Sequence, residues 1–229
     1  MRNELNLTCE QPTRRSPGDV ALRLIQLFLG LLGWGLGIAL FIRSHLGLGP
    51  WDAFHYGLHV QAGITVGVAS IVAGFLILVV NTAMGIRPGL ATVLNMIFIG
   101  VFTDLLLPIV PDATSLAAGF GYFAIAVPLV GLASGAYIGA GFGHGPRDGL
   151  MMALTIRTGW SVRRIRTLIE LSVLAIGWTM GGVVGIGTII ITLTIGHSVQ
   201  WGLRVFDAAP PTRVQPIPRR RRRRLRRAA

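Results

Sequence analysis

Six long apolar runs alternate with short polar segments along this chain of 229 residues. A helix needs about 20 mainly apolar residues to cross the hydrocarbon core of a bilayer, and each run approaches that length. The pattern therefore predicts an all-α, polytopic membrane protein. Its six transmembrane helices are predicted at Ala21 to Ile42, Ile64 to Met84, Gly89 to Val110, Leu116 to Ala140, Ile165 to Gly182 and Gly185 to Leu203.

The composition agrees with a chain embedded in lipid. It is 52% hydrophobic and only 13% charged, whereas an ordinary soluble domain carries about 25% charged residues. The formal net charge of +12 comes mostly from the chain ends and the loops, so we expect a lipid bilayer rather than nucleic acid as the partner. The single cysteine, Cys9, excludes an intrachain disulfide and a cysteine-based zinc site.

The arginines indicate how the chain is oriented, because cytoplasmic loops of membrane proteins are enriched in them. They concentrate in the N-terminal segment, in the loops after the second and fourth runs, and in the C-terminal tail, while the alternate loops hold one or none. We therefore predict that both termini lie in the cytoplasm. The arginines before the tail that carry this prediction are Arg2, Arg14, Arg15, Arg23, Arg87, Arg147, Arg157, Arg163, Arg164 and Arg166. All 21 basic residues are arginine, which indicates the compositional bias of a high-GC bacterial genome, so we expect a bacterial plasma-membrane protein.

The chain contains an internal repeat. GPWDAFHYGL at Gly49 and GPRDGLMMAL at Gly145 align without gaps at an offset of 96 positions, and the agreement continues through many glycines on either side. Three spans per copy is an odd number, so the second copy enters the membrane from the opposite side. We predict a polar N-terminal segment at 1–20, inverted repeats at 21–110 and 111–203, and a tail at 204–229.

Small and polar residues inside the runs predict close helix packing. Glycines four apart share one helical face and let backbones approach in lipid, and isolated polar side chains can form hydrogen bonds between helices. We assign these residues no role in binding. The glycines are Gly131, Gly135, Gly139 and Gly143, and the polar residues are Asn81, Asn95, Asp104, His197 and Gln200.

The two GPxD motifs each predict the start of a helix, because proline suits the first helical turn. The stretches that follow, Trp51 to Gln61 and Asp148 to Thr158, are too short to span and predict broken or half-inserted helices. The aspartates can act as helix caps or line a solute or proton pathway, and both interpretations stay open. The pathway candidates are Gly49, Pro50, Asp52, Gly145, Pro146, Arg147 and Asp148.

No arrangement of residues predicts catalysis. Arg166 and Glu170 are one helical turn apart and predict an ion pair. The histidines near the GPxD motifs lack a repeated ligand spacing, and no nucleophile and base can be paired. We therefore expect no enzymatic activity, no cofactor and no metal.

The tail is too polar to fold alone and should be disordered. Its basic side chains should contact anionic lipid headgroups, because each is worth about 1 kcal/mol near an acidic membrane. They are Arg219, Arg220, Arg221, Arg222, Arg223, Arg224, Arg226 and Arg227.

The segments GLGPWDAFHYGL, RPGLATVLN, GHGPRDGLM, RTGWSVRRIRTLIE and GWTMGGVVGIGT resemble the YczE/YitT-like family of bacterial integral membrane proteins, and most closely its YczE branch. The likeness covers roughly residues 20 to 203 and leaves the tail outside. The resemblance implies a multi-spanning plasma-membrane protein and implies no particular activity.

Two functions follow as hypotheses. The inverted repeats and their acidic broken segments suggest a transporter for a small solute, coupled or not to protons, with a site between the halves. The small size and the scarcity of charges inside the spans suggest instead a membrane-embedded accessory or regulatory protein that acts through a protein partner.

Overall fold

A computed structural model describes residues 17–85, 89–142 and 145–206, and the described chain is entirely α-helical between its turns. The arginine-rich tail, Arg87 and most of the N-terminal segment lie outside the described residues. The helices are α1 (Pro17–Arg43), α2 (Pro50–Ala62), α3 (Val66–Ala83), α4 (Leu90–Leu106), α5 (Leu116–Gly139), α6 (Pro146–Thr158), α7 (Val162–Thr179) and α8 (Ile186–Val205).

Helix boundaries recur at the offset of 96 because the same capping residues recur. Gly63 and Gly159 end α2 and α6 in the left-handed conformation, with φ of 66° and 73°. The hydroxyls of Thr65 and Ser161 then accept hydrogen bonds from the first turns of α3 and α7. Such caps satisfy backbone groups that a helix end leaves free.

Within the described residues, four helices are long and apolar enough to cross a membrane: α1, α3, α5 and α8. The apolar α4 has 17 residues, and α7 has 18 but carries charged side chains in its first turns. Large apolar side chains face outward along the spans, and Leu193 is 67% exposed. This is the surface that lipid requires, and the chain is a multi-pass membrane protein.

Helix α5 packs closely against α1 and against α8 through glycine. A side chain at Gly30 would collide with the backbone of Ala133, and side chains at Gly131 and Gly135 would collide with α8. Gly202 of α8 lies against the backbone of Gly131. The predicted packing role is thus confirmed for Gly131 and Gly135, and Gly143 lies outside the described residues.

Contacts between the helix termini define two ends of the bundle. At the first end, Arg43 at the end of α1 donates to the carbonyl of Leu107 just after α4. The start of α8 lies at the same end, because Gly187 donates to the carbonyl of Leu46 at 2.8 Å. At the second end, Gln26 near the start of α1 donates to the carbonyl of Ala136, near the end of α5, at 2.9 Å.

Candidate functional site

The two GPxD motifs form the same structure. Gly49 and Gly145 precede α2 and α6 with nearly identical dihedral angles, φ −64° for both and ψ 160° and 161°. Proline follows at the first helical position, and neither N-cap supplies a side-chain hydrogen bond. The predicted helix starts are confirmed, and the positive end of each helix dipole lies at its motif.

The two motifs lie inside the bundle, at similar distances from its opposite ends. A side chain at Gly49 would contact Ile191, the sixth residue of α8, at 3.4 Å. A side chain at Gly145 would contact Asn95, the sixth residue of α4, also at 3.4 Å. Since α8 starts at the first end and α4 starts at the second, α2 and α6 begin at comparable depths from the two ends.

A cavity of about 400 Å³, called here the central cavity, is lined by both motifs and by residues of all eight helices described above. Cavities of roughly 300–1,000 Å³ hold small molecules in proteins. Every pathway candidate predicted from the sequence lines it. Most of the remaining wall is apolar, and the polar residues beyond the motifs include His55, Asn95, Ser134, Tyr137 and Gln200.

Trp51 and Arg147 occupy the same position of their respective motifs, and the two side chains meet in the cavity. The guanidinium carbon of Arg147 lies 4.7 Å from the centroid of the Trp51 ring, a distance typical of a cation–π contact. In the chain as described, Arg147 forms no ion pair and donates no hydrogen bond. The contact with Trp51 leaves its N–H donors available.

Asp52 is buried beside this pair. Only 8% of the residue is exposed, it lines the cavity, and its Oδ1 atom accepts no hydrogen bond from any described group. Native proteins pair nearly all buried polar atoms, so an unpaired one calls for a specific explanation. Helix capping does not supply one, because a capping oxygen would accept a backbone N–H.

The walls of the cavity differ between the two halves. On one side, Gly67 of α3 and Gly100 of α4 touch backbone to backbone. Asp104 closes the same contact, because its carboxylate accepts from the hydroxyl of Thr65 at 2.5 Å and from the N–H of Gly67 at 2.7 Å. Helices α3 and α4 therefore form a continuous wall.

On the other side, α7 makes almost no contact with α8. The equivalent of Gly67 is Arg163, whose bulk excludes the same backbone contact, and the equivalent of Gly100 is Gly196, beside which a side chain would meet open space. Arg166 and Glu170 of α7 line the cavity and form an ion pair of 2.8 Å, with Arg166 exposed and Glu170 half-buried. The cavity reaches the surface here.

Other polar groups hold the bundle together. Asn81 donates to the carbonyl of Pro146 at 2.8 Å and so fixes the start of α6 against α3. Asn81 and Asp104 thus form hydrogen bonds between helices, as predicted. His197 does not, because its ring bonds the carbonyl of Leu193 in its own helix at 3.2 Å.

At the first end, Asp112 joins two basic side chains. It pairs with Arg43 at 2.9 Å and with His45 at 2.8 Å. The hydrogen bonds from Arg43 and then from His45 hold the pKa of the exposed Asp112 carboxyl below its ordinary value. In the described chain, this end included, no three histidine, cysteine or acidic residues cluster as metal ligands would.

Sequence reasoning missed Trp51, His55 and Tyr137 as cavity residues. Trp51 could have been found, because it occupies the variable position of the first GPxD motif and Arg147 occupies that position in the second. His55 and Tyr137 are single residues without a pattern, and only the packing of α2 and α5 brings them to the cavity.

The fold and the cavity define a multi-pass integral membrane protein with a polar centre. The chain belongs to the family of unknown function DUF6198, whose model matches residues 21–204. It is 40% identical over 188 residues to the uncharacterized membrane protein YczE of Bacillus subtilis, covering 81% of this chain and 87% of that relative. The resemblance read from the sequence is thereby confirmed.

Two further relatives extend the comparison. An uncharacterized protein of Haemophilus influenzae is 32% identical over 176 residues, covering 77% of this chain and 81% of the relative. The uncharacterized protein YyaS of Bacillus subtilis is 30% identical over 172 residues, covering 73% and 85%. No solved structure matches the chain.

Proposed function

We propose that this protein transports a small solute across a bacterial plasma membrane, with its binding site in the central cavity between two inverted repeats of three spans. Both termini then lie in the cytoplasm. The observation that carries the proposal is the cavity itself, which is built from both GPxD motifs, closed between α3 and α4 and open between α7 and α8.

The inverted repeat is supported by the helix termini. Helices α1 to α4 correspond to α5 to α8 at an offset of 96, and the short helices α2 and α6 begin at comparable depths from opposite ends. Broken helices whose N-termini meet near the midplane form the substrate sites of many transporters built from inverted repeats. On this proposal α4 and α7 also cross the membrane, which brings the number of spans to six.

The unequal walls support transport rather than static binding. In a carrier with inverted repeats, the two halves adopt different conformations, and exchanging them opens the site to the other side. Exchange here would separate α3 from α4 and bring α7 closer to α8, with the side chain of Arg163 between their backbones. Three arginines lie in the first turns of α7, beside the present opening of the cavity: Arg163, Arg164 and Arg166. Because arginines are enriched on the cytoplasmic side of membrane proteins, they favour a cavity that is open to the cytoplasm.

The arginine-rich tail would then follow α8 into the cytoplasm. We propose that its eight arginines, Arg219 to Arg224 with Arg226 and Arg227, contact anionic lipid headgroups there. This contact would help to hold the cytoplasmic end of α8 at the membrane surface.

Flux into proteoliposomes tests the proposal directly. The panel would contain radiolabelled amino acids, sugars and carboxylates, each measured with and without a pH gradient. We expect flux of at least one solute, and we expect Asp52→Asn and Asp148→Asn to reduce it strongly because both carboxylates line the cavity. Asp112→Asn is the matched control, since the same chemical change falls in an exposed loop outside the cavity.

Absence of flux from folded protein across the whole panel would count against transport and favour an accessory or regulatory role. Stable co-purification of a protein partner would then be the expected companion result. Equal flux from the wild type and both cavity variants would leave transport standing but remove the GPxD carboxylates from the pathway.

A further inference from the structure

We infer that the ligand of the central cavity is a compact zwitterion with an apolar body, of the α-amino-acid type, whose ammonium group binds Asp52 and whose carboxylate binds Arg147. The inference rests on the proposed function, because it names the substrate class of the same site. It is carried by two neighbouring side chains: Asp52 has an unpaired carboxylate oxygen, and Arg147 has no hydrogen-bond acceptor in the described chain.

Asp52 needs a donor. It is more than nine-tenths buried, it lines the cavity, and its Oδ1 atom has no hydrogen-bond partner in the described structure. A buried carboxylate oxygen without a donor is costly, because the water that it loses is not replaced. An ammonium group in the cavity would supply both hydrogen bonds and the opposite charge.

Arg147 needs an acceptor. A guanidinium presents five N–H donors in a planar fork that matches a carboxylate. Its observed contact is with the face of Trp51, which accepts no conventional hydrogen bond from those donors. The N-terminus of α6, where Arg147 lies, adds positive potential that favours a ligand carboxylate at the same place.

These two groups do not satisfy each other. Asp52 and Arg147 are close enough to interact electrostatically, yet they form no ion pair. A simple anion would leave Asp52 without a donor, and a simple cation would leave Arg147 without an acceptor. A zwitterion satisfies both at once, and it adds no net charge to a site enclosed by membrane.

The rest of the cavity fits an apolar body. Its walls include Ile77, Met96, Ile138, Ile191 and Val199. A volume of about 400 Å³ also exceeds what the two charged groups of a small zwitterion require. The structure therefore favours a bulky aliphatic or aromatic side chain on the ligand.

The test compares three probes that share one aromatic body. L-phenylalanine is zwitterionic, N-acetyl-L-phenylalanine is only anionic, and L-phenylalaninamide is only cationic. Thermal unfolding of the purified, full-length wild-type protein in detergent is measured with increasing amounts of each. We expect L-phenylalanine to raise the unfolding temperature with saturation and the two analogues to have no such effect, because each analogue leaves either Asp52 or Arg147 without its partner.

Variants locate the binding. Asp52→Asn and Arg147→Gln should each weaken binding of L-phenylalanine roughly tenfold or more, since each removes a hydrogen bond to a charged group. Asp112→Asn should leave binding unchanged. Unfolding of each variant without a probe shows whether it is folded, and the comparison of probes on the wild type does not depend on any variant.

Stabilisation by either analogue to the same extent as L-phenylalanine, or by none of the three probes, would overturn the inference. Specific binding of L-phenylalanine without flux in proteoliposomes would support the ligand class and contradict transport. Flux of another solute by a protein that does not bind L-phenylalanine would support transport and overturn the ligand class.

Discussion

Replacing Gly100 with alanine should force α3 and α4 apart, and the repeat supplies its own control at Gly196. A Cβ atom at Gly100 would lie 2.5 Å from the carbonyl oxygen of Gly67 and 2.7 Å from the side chain of Ile71. The backbone oxygen cannot move without its helix. The same atom at Gly196 would meet nothing within 4 Å.

The magnitude follows from two opposing effects. Alanine is better than glycine inside a helix by up to about 1 kcal/mol, and this gain applies equally at both positions. Overpacking costs about 1–3 kcal/mol and applies only at Gly100. The free energies of unfolding of the two variants should therefore differ by about 1–3 kcal/mol, with Gly196→Ala the more stable.

Thermal unfolding of the two purified variants in the same detergent measures this difference. For a chain of this size each kcal/mol shifts the midpoint by roughly 2–4 °C, so several degrees should separate them. Unfolding of both variants at one temperature would refute the backbone contact between α3 and α4. It would also remove the closed wall on which the transport proposal depends.

Two further predictions concern polar contacts. Asp104→Ala should destabilise the protein by about 1–3 kcal/mol, because it removes the acceptor of Thr65 at the start of α3; Gln200→Ala at the equivalent position should have little effect on thermal unfolding. Asp112 has a depressed pKa beside Arg43, so its stabilisation is present at neutral pH and is lost as the pH falls through that pKa. Asp112→Asn should therefore lower the free energy of unfolding at neutral pH, and this difference from the wild type should shrink below about pH 4. A difference that stays constant with pH would contradict this account.

Local signals explain what the sequence could predict. A glycine followed by proline determines where α2 and α6 begin. The proline ring restricts the φ angle of proline, and proline has no backbone N–H with which to continue a preceding helix. Gly63 and Gly159 end both helices for an equally local reason, since each adopts a positive φ. Repetition at an offset of 96 strengthens both predictions.

The site required tertiary structure. That Trp51 meets Arg147 depends on packing between residues 96 positions apart, and neither residue carries a local sign of the other. The difference between the two walls could be predicted in part from the sequence. The repeat aligns Arg163 with Gly67, and an arginine in place of glycine excludes the backbone contact. The unpaired oxygen of Asp52 depends on every neighbour of that side chain, so no spacing could have revealed it.

The contact between α2 and α7 has a consequence for how the protein is synthesised. A side chain at Gly57 would collide with the carbonyl of Gly177, so the two helices touch, and Leu48 just before α2 donates to the carbonyl of Val183 just after α7. At roughly 5–20 residues per second, on the order of ten seconds separate the synthesis of α2 from that of α7. During that time the short helix α2 cannot form its contact with α7. Its final position in the membrane is therefore fixed only after most of the second half has been made.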